Sequence, residues 1–155
     1  ARLTLRSVSG TRELGADEFL EGPMMTARRE DECLTQIAFP VWPGEGYLGT
    51  GFHEVSERHG DFAIVAAAAQ LLIGEDGKCL RAAIAVGGAH PHALRIEAAE
   101  ERLVGQRIDE TAIDQAAGEA EAQLRPDGDT HASADYRRRV ARRLVARAIN
   151  QAVSR

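Results

Sequence analysis

Five histidines, one glycine-rich stretch and a run of arginines are the residues of this chain whose types and spacing can do chemistry. His53-Glu54 and His59 miss the HExxH spacing that puts two imidazoles on one helical face. His90-Pro91-His92 holds two rings on an extended chain, on the same side of a strand, with no third ligand in view. No metal site is expected from either set. Gly44-Glu-Gly-Tyr-Leu-Gly49 matches the GxGxxG fingerprint letter for letter. That motif holds pyrophosphate only when a strand precedes it and a helix N-terminus follows, aiming amides at the phosphates. Thr50-Gly51-Phe52 is a poor helix start, so the stretch reads as a flexible loop. Ser56 and Ser133 lack a nucleophile-elbow context, and Ser133 is better used as a helix cap. Glu97, Glu100 and Glu101 read as a solvated helix face. Arg137, Arg138, Arg139, Arg142, Arg143 and Arg147 read the same way, or else as a subunit interface where arginine pairs with carboxylates. No residue is assigned a catalytic role.

Composition narrows the function classes. The chain has 155 residues, 44% hydrophobic and 28% charged, which is the balance of a globular domain with a real core. A net charge of −5 argues against nucleic acid, which calls for a clustered basic surface. The apolar run 62–73 stops at Gly74, short of the ~20 residues that span a bilayer. Cys33 and Cys79 form no CxxC pair and cannot supply the four ligands of an iron–sulfur cluster; two buried thiols in a reducing cytoplasm are expected. The sequence starts at Ala1 within what reads as a strand, without Met or signal peptide, as expected of a piece of a longer protein.

The elements follow from periodicity. Leu3, Leu5 and Ser7 alternate with polar neighbours, and Ser9-Gly10 turns the chain into 11–14, a hairpin. Residues 32–39 make a further strand, ended by Pro40 and Pro43. The stretch 43–51 carries four glycines and reads as a flexible boundary between units. In 62–73, four consecutive alanines favour helix, yet a glycine turn joins the run to 79–86, where Leu80, Ala82, Ile84 and Val86 alternate. An antiparallel hairpin accommodates both, with the alanines making room for helices. Ile96, Ala99 and Leu103 share a helix face closed by Gly105. Asp109 caps a second helix striped by Ile113, Ala116, Ala117, Ala120 and Leu124. Ser133 caps a third, with Tyr136, Val140, Leu144, Val145, Ala148, Ile149 and Val153 on its apolar face.

Three stretches, in order, carry a family resemblance. They are Pro23-Met-Met-Thr-Ala-Arg-Arg-Glu-Asp-Glu-Cys-Leu-Thr-Gln-Ile-Ala-Phe-Pro40; Gly51-Phe-His-Glu-Val-Ser-Glu-Arg-His-Gly-Asp-Phe-Ala-Ile-Val65; and Val86-Gly-Gly-Ala-His-Pro-His-Ala-Leu-Arg95 followed by Ala132-Ser-Ala-Asp-Tyr-Arg-Arg138. The chain resembles the second half of the FAD-binding medium subunit of molybdenum hydroxylases, the xanthine and carbon monoxide dehydrogenase family. The resemblance implies an α+β fold: an antiparallel sheet of about three strands on three C-terminal helices (44–155), preceded by strands that end an FAD-binding subdomain (1–43). It implies FAD in the intact subunit, weakly held or absent in this piece alone, because the glycine-rich pyrophosphate loops belong to the other half. Molybdopterin and two-iron–two-sulfur clusters are implied only in partner subunits, a large and a small one, in a cytoplasmic complex. Electrons would pass from those clusters through FAD to an external acceptor. Residue by residue, it implies that Leu34 offers an apolar contact to the isoalloxazine or its neighbouring chain. Thr26 stands in a turn able to hydrogen-bond backbone or flavin. Phe52 falls where carbon monoxide dehydrogenase-like members carry a tyrosine near the ring, and His53 where some members carry a lysine. Arg58 and Asp61 read as structural residues fixing a turn. The alternative is a non-enzymatic α+β docking or dimerisation module without flavin, since architecture alone does not settle function.

Overall fold

The structure, a computed structural model, describes residues 1–42 and 44–154. The chain divides into two compact units, Ala1–Pro43 and Gly44–Arg155. Pro43, read from sequence as a strand terminator, lies outside the described residues.

In the first unit, β1 (Arg2–Ser7) and β2 (Gly10–Gly15) form the hairpin expected of their alternation. A single helical turn, α1 (Ala16–Phe19), follows, its start tied by Glu18 Oε2 accepting from the Gly15 amide at 2.7 Å. Next come the short strands β3 (Leu20–Gly22) and β4 (Met25–Thr26), paired with each other. Between them Pro23 precedes Met24 at φ +59°, a left-handed residue in the position a glycine ordinarily takes in a type II turn. Finally β5 (Cys33–Ala38) pairs with β1, giving the order β2-β1-β5. Leu3 and Leu5 point to one side and are buried against Phe19, with Leu14 and Ala16 beside them.

The second unit is an antiparallel sheet, β6 (Tyr47–Val55), β7 (Val65–Ile73), β8 (Cys79–Gly87) and the two-residue β9 (Leu94–Arg95), in that order. Three helices cover one face: α2 (Glu97–Leu103) on β8, α4 (Ala134–Val153) across β6 and β7, and α3 (Glu110–Gln123) packed against both helices. This is the α+β sandwich that the helix stripes and the family resemblance together imply, with β6 as a further strand. Asp109 accepts from the Ala112 amide at 2.8 Å and Ser133 from the Tyr136 amide at 3.2 Å, so both predicted caps form. Val65, Ala67, Ala69, Leu71 and Ile73 alternate toward the helices, and the small side chains of Ala67 and Ala69 let α4 come close.

Four expectations are corrected. The glycines at 49 and 51 belong to strand β6, not to a flexible loop: a Cβ on Gly49 or Gly51 would strike the backbone carbonyls of Ala152 or Ala148 on α4. They are glycine because a helix backbone lies directly on the strand. The strand read from residue 62 begins at Val65, because 56–64 is a connection that turns at Gly60, φ +82°. Cys33 is exposed on β5, and only Cys79 is buried, where burial pushes its thiol pKa up. Tyr136, placed on the apolar face of the third helix, is exposed, whereas Ala141 and Ala152 are buried there.

Candidate functional site

On β6, Phe52 and His53 are neighbours and therefore point to opposite faces of the sheet. His53 shares parity with Gly49 and Gly51 and stands, half-buried, on the side covered by α4. Phe52 lies on the open face and is 58% exposed. Beside it is an open depression of about 510 Å³ lined by Thr50, Ala68, Gln70, Ala83 and Ala85. β6 is an edge strand of its sheet. The outward amide of Phe52 is occupied by Gln151 Oε1 from α4 at 3.1 Å.

In the first unit, β5 is likewise an edge strand. The register jumps so that Leu5 faces Leu34 while Thr4 faces Gln36, which leaves Thr35 as the extra residue of a bulge. The bulge turns both Leu34 and Ile37 to the face shared by Leu5 and Leu3. Yet Leu34 is 38% exposed and Ile37 is exposed as well, so this end of the apolar face is open. Thr26 is exposed on β4. The segment that follows it is held by charge: Glu32, itself buried, takes two bonds from Arg12 at 2.7 and 2.9 Å and one from the Arg29 amide at 2.8 Å. Arg12 also donates to the Ala27 carbonyl at 2.6 Å. The Arg12 guanidinium, helped by the Arg29 amide, holds the Glu32 carboxyl at about 2.

Two charged residues read from sequence as solvated are buried. Glu100 is only 7% exposed; it accepts from the Ile84 amide at 3.0 Å and from Arg95 at 2.8 and 2.7 Å, fastening α2 to β8. Arg137, 8% exposed, is not part of the solvated arginine face. Its Nη1 donates to the carbonyls of Ile64 at 2.6 Å and Gly88 at 2.8 Å, and its Nη2 to Asp129 at 2.6 Å. That bond, with those from the Ala132 and His131 amides, holds the Asp129 carboxyl at about 2. Two of its acceptors, Ile64 and Gly88, lie far from residue 137 in sequence, so no local pattern could mark it. Of the other arginines, Arg142 bridges Asp114 and Glu121 on α3, while Arg139, Arg143 and Arg147 are exposed at one-turn intervals.

His90 and His92 do meet, edge to face with ring centroids 4.8 Å apart, but in a bend and not on a strand. Among the described residues no cluster of three His, Cys, Asp or Glu is placed to hold a metal ion. Gly44 and Gly46 sit in a loop that runs into strand β6, so the GxGxxG match lacks the helix that phosphate binding requires. Arg58 and Asp61 pair at 3.4 Å across the turn they were expected to fix.

The larger unit is a two-layer α+β sandwich and the smaller a β unit, each with apolar side chains exposed on an edge strand. The family model described as CO dehydrogenase flavoprotein C-terminal domain matches residues 50–152, and the chain belongs to that family. The chain is 34% identical over 155 residues to the 6-hydroxypseudooxynicotine dehydrogenase complex subunit alpha of Paenarthrobacter nicotinovorans, covering 100% of this chain and 52% of that protein. It is 35% identical over 156 residues to the carbon monoxide dehydrogenase medium chain of Afipia carboxidovorans, covering 100% of this chain and 53% of that one. Among solved structures, carbon monoxide dehydrogenase from Hydrogenophaga pseudoflava matches with a TM-score of 0.90 at 31% identity, over 97% of this chain and 52% of that chain. The chain thus spans about half the length of the curated relatives it matches.

Proposed function

We propose that this chain is the second half of the FAD-binding medium subunit of a molybdenum hydroxylase. The observation that carries the reading is the likeness, at about a third identity, to carbon monoxide dehydrogenase across essentially the whole chain. The residues fit part of the cofactor. Taken unit by unit, Phe52 and His53 on β6 offer an aromatic and a polar side chain of the kind a flat ring system takes, and, in the other unit, Leu34 on β5 offers an apolar side chain and Thr26 on β4 a hydroxyl. The pyrophosphate has no cradle here, because the glycine-rich stretch leads into a strand. When bound, the flavin supplies exchange between two-electron and one-electron chemistry, linking iron–sulfur clusters of a small subunit, and through them the molybdopterin of a large subunit, to an external acceptor. This chain's own residues orient the ring and shield it from water. The relatives act on compounds as different as carbon monoxide and 6-hydroxypseudooxynicotine at nearly equal identity to this chain, so the substrate is chosen outside it.

Flavin content tests the reading. The chain expressed with the upstream half of its subunit and with both partner subunits is expected to carry one FAD per medium subunit. The chain alone is expected to carry none in stoichiometric amount. An intact subunit without flavin overturns the reading. It would favour the other one, a docking module without cofactor, for which the exposed row of Arg139, Arg143 and Arg147 on α4 speaks.

A further inference from the structure

The connection from β6 to β7, residues 56–64, packs on the apolar core only at its end, through Ile64, and is otherwise held by polar ties. Phe62, in its middle, is 95% exposed. Beneath the connection lies a cavity of about 350 Å³, bordered by Glu57, Asp61, Ile64, Asp129, His131 and Arg137. Among the described residues, two side-chain ties reach it from later elements. At its end, buried Arg137 on α4 donates to the Ile64 carbonyl, and the same guanidinium holds Gly88 after β8 and Asp129 before α4. At its start, Glu57 meets His131 Nδ1 at 2.8 Å. The backbone adds a bond of its own at the base, from the Ile64 amide to the Val55 carbonyl at the end of β6 at 2.7 Å. Within the connection Ser56 Oγ donates to the Arg58 carbonyl at 2.9 Å and the Asp61 amide to that carbonyl at 3.1 Å.

We propose that Arg137 and His131 are positioning residues that lock this connection: Arg137 is a permanent pin at one end, and His131 a pin at the other that weakens from an ion pair to a neutral hydrogen bond when its imidazole loses a proton. The consequence for β6, which carries Phe52 and His53 into the connection, rests on the flavin reading above. The two pins differ in chemistry. A guanidinium stays charged at every working pH, and here it binds two backbone carbonyls that do not titrate. The imidazole binds a carboxylate and keeps that bond as an ion pair only while protonated. The charged groups around His131 are Glu57 and Asp61 from the connection, Asp129 from its own loop and Arg137 from α4. Asp61 is paired with Arg58, so the charges that act on the imidazole are Glu57 and Asp129, which favour the imidazolium, and Arg137, which opposes it. The Glu57 hydrogen bond is the largest influence and, with the charges of Glu57 and Asp129, raises the His131 pKa above its ordinary 6.5. The sign follows. The ion pair is complete below about pH 6.5, persists somewhat above it, and is lost as pH rises through the raised value.

The test uses the intact flavin subunit in its complex, with two readouts. Hydrogen exchange of 56–64, corrected for the intrinsic rate, reports the lock without reference to flavin. In the wild type, protection is expected to fall about threefold to fivefold between about pH 6 and about pH 9, the size an exposed ion pair supports. His131→Gln and Glu57→Gln are expected to show the lower protection at both pH values. Arg137→Lys is expected to lose protection around Ile64 at both, because an ammonium cannot span the three acceptors. Should Arg137→Lys fail to fold, Asp129→Asn weakens the same pin and serves in its place. Protection that does not change with pH in the wild type, or that changes equally in His131→Gln, overturns the proposal. The second readout is visible circular dichroism of the bound flavin, which is expected to follow the exchange data. Exchange that behaves as expected while the dichroism stays constant in every variant, Phe52→Ala included, leaves the lock standing and sinks the flavin reading of β6.

Discussion

The two units solve the same problem by opposite means. Unit Gly44–Arg155 closes a continuous apolar core between sheet and helices, from Val65 and Leu71 through Ile96 and Leu103 to Leu144 and Ile149. Unit Ala1–Pro43 buries Leu3, Leu5 and Phe19 and relies on Arg12 and Glu32 to hold the chain around them. A small apolar core supplies little driving force, so a specific charged tie takes a larger share of the stability. The cost is sensitivity to acid. The larger unit has its own low-pKa carboxylate, Asp129, but that group fastens a connection and not the core. The difference teaches where each unit is vulnerable: close packing in one, protonation in the other.

The largest effect should come from the packing side. Gly51→Val puts a side chain into the Ala148 carbonyl of α4, and a backbone neighbour cannot step aside. It is expected to cost about 3 kcal/mol or more, read as a lower denaturant midpoint for the unit Gly44–Arg155. A midpoint equal to wild type would mean that α4 does not lie on β6 as closely as described.

Acid should then separate the units. Glu32 has a folded pKa of about 2 against an ordinary value of 4.5, so its contribution is full above 4.5 and is lost as pH falls toward 2. Amides of Leu3 and Leu5 are expected to lose protection across that window while those of Leu71 and Ile84 keep theirs. Glu32→Gln should show the weakened state at neutral pH and a flatter response to acid. Equal acid sensitivity in the two units breaks the comparison.

At neutral pH the contrast is expected to be smaller but present. Exchange at Leu3 and Leu5 should run about tenfold or more faster than at Val65 to Leu71, reflecting the smaller core. Equal protection would contradict it, unless another copy of the chain pairs with the open edge of β5.

The smallest effect concerns the cofactor. In the reconstituted complex, His53→Lys is expected to raise the flavin's reduction potential by the equivalent of about 1 kcal/mol, the worth of a full charge several ångströms from a partly buried ring. Potentiometric titration across pH reads it, and an unchanged potential at every pH places His53 away from the flavin.

Local pattern carried much of the larger unit. The 3.6-residue stripe of α3, the caps Asp109 and Ser133, and the alternation of Ala82, Ile84 and Val86 in β8 each depend on near neighbours, so the residues themselves specify them. Leu80, read into the same alternation, is exposed, and Cys79 is buried beside it, where the pairing with β7 shifts register. Site residues were legible as types and less so as places. Phe52 and His53 were recognisable as neighbours; that one faces the open depression and the other α4 follows from the sheet's edge and the helix laid on it. Leu34 needed the bulge at Thr35 to share a face with Ile37, a register detail invisible along one strand.

What the sequence determined by itself is therefore the helices α2, α3 and α4 and the strands β1, β2, β5 and β8, because helix and strand periodicity are short-range properties of the chain. What only the tertiary structure decided is which exceptions to those patterns have a purpose. Gly49 and Gly51 read as flexibility until a helix backbone is found against them. Glu100 and Arg137 read as solvated charge until their acceptors and donors arrive from other elements, Ile84 and Arg95 for one, Ile64, Gly88 and Asp129 for the other. A charge is tolerated inside only when its partners converge on it, and convergence of distant segments is a property of the folded chain alone.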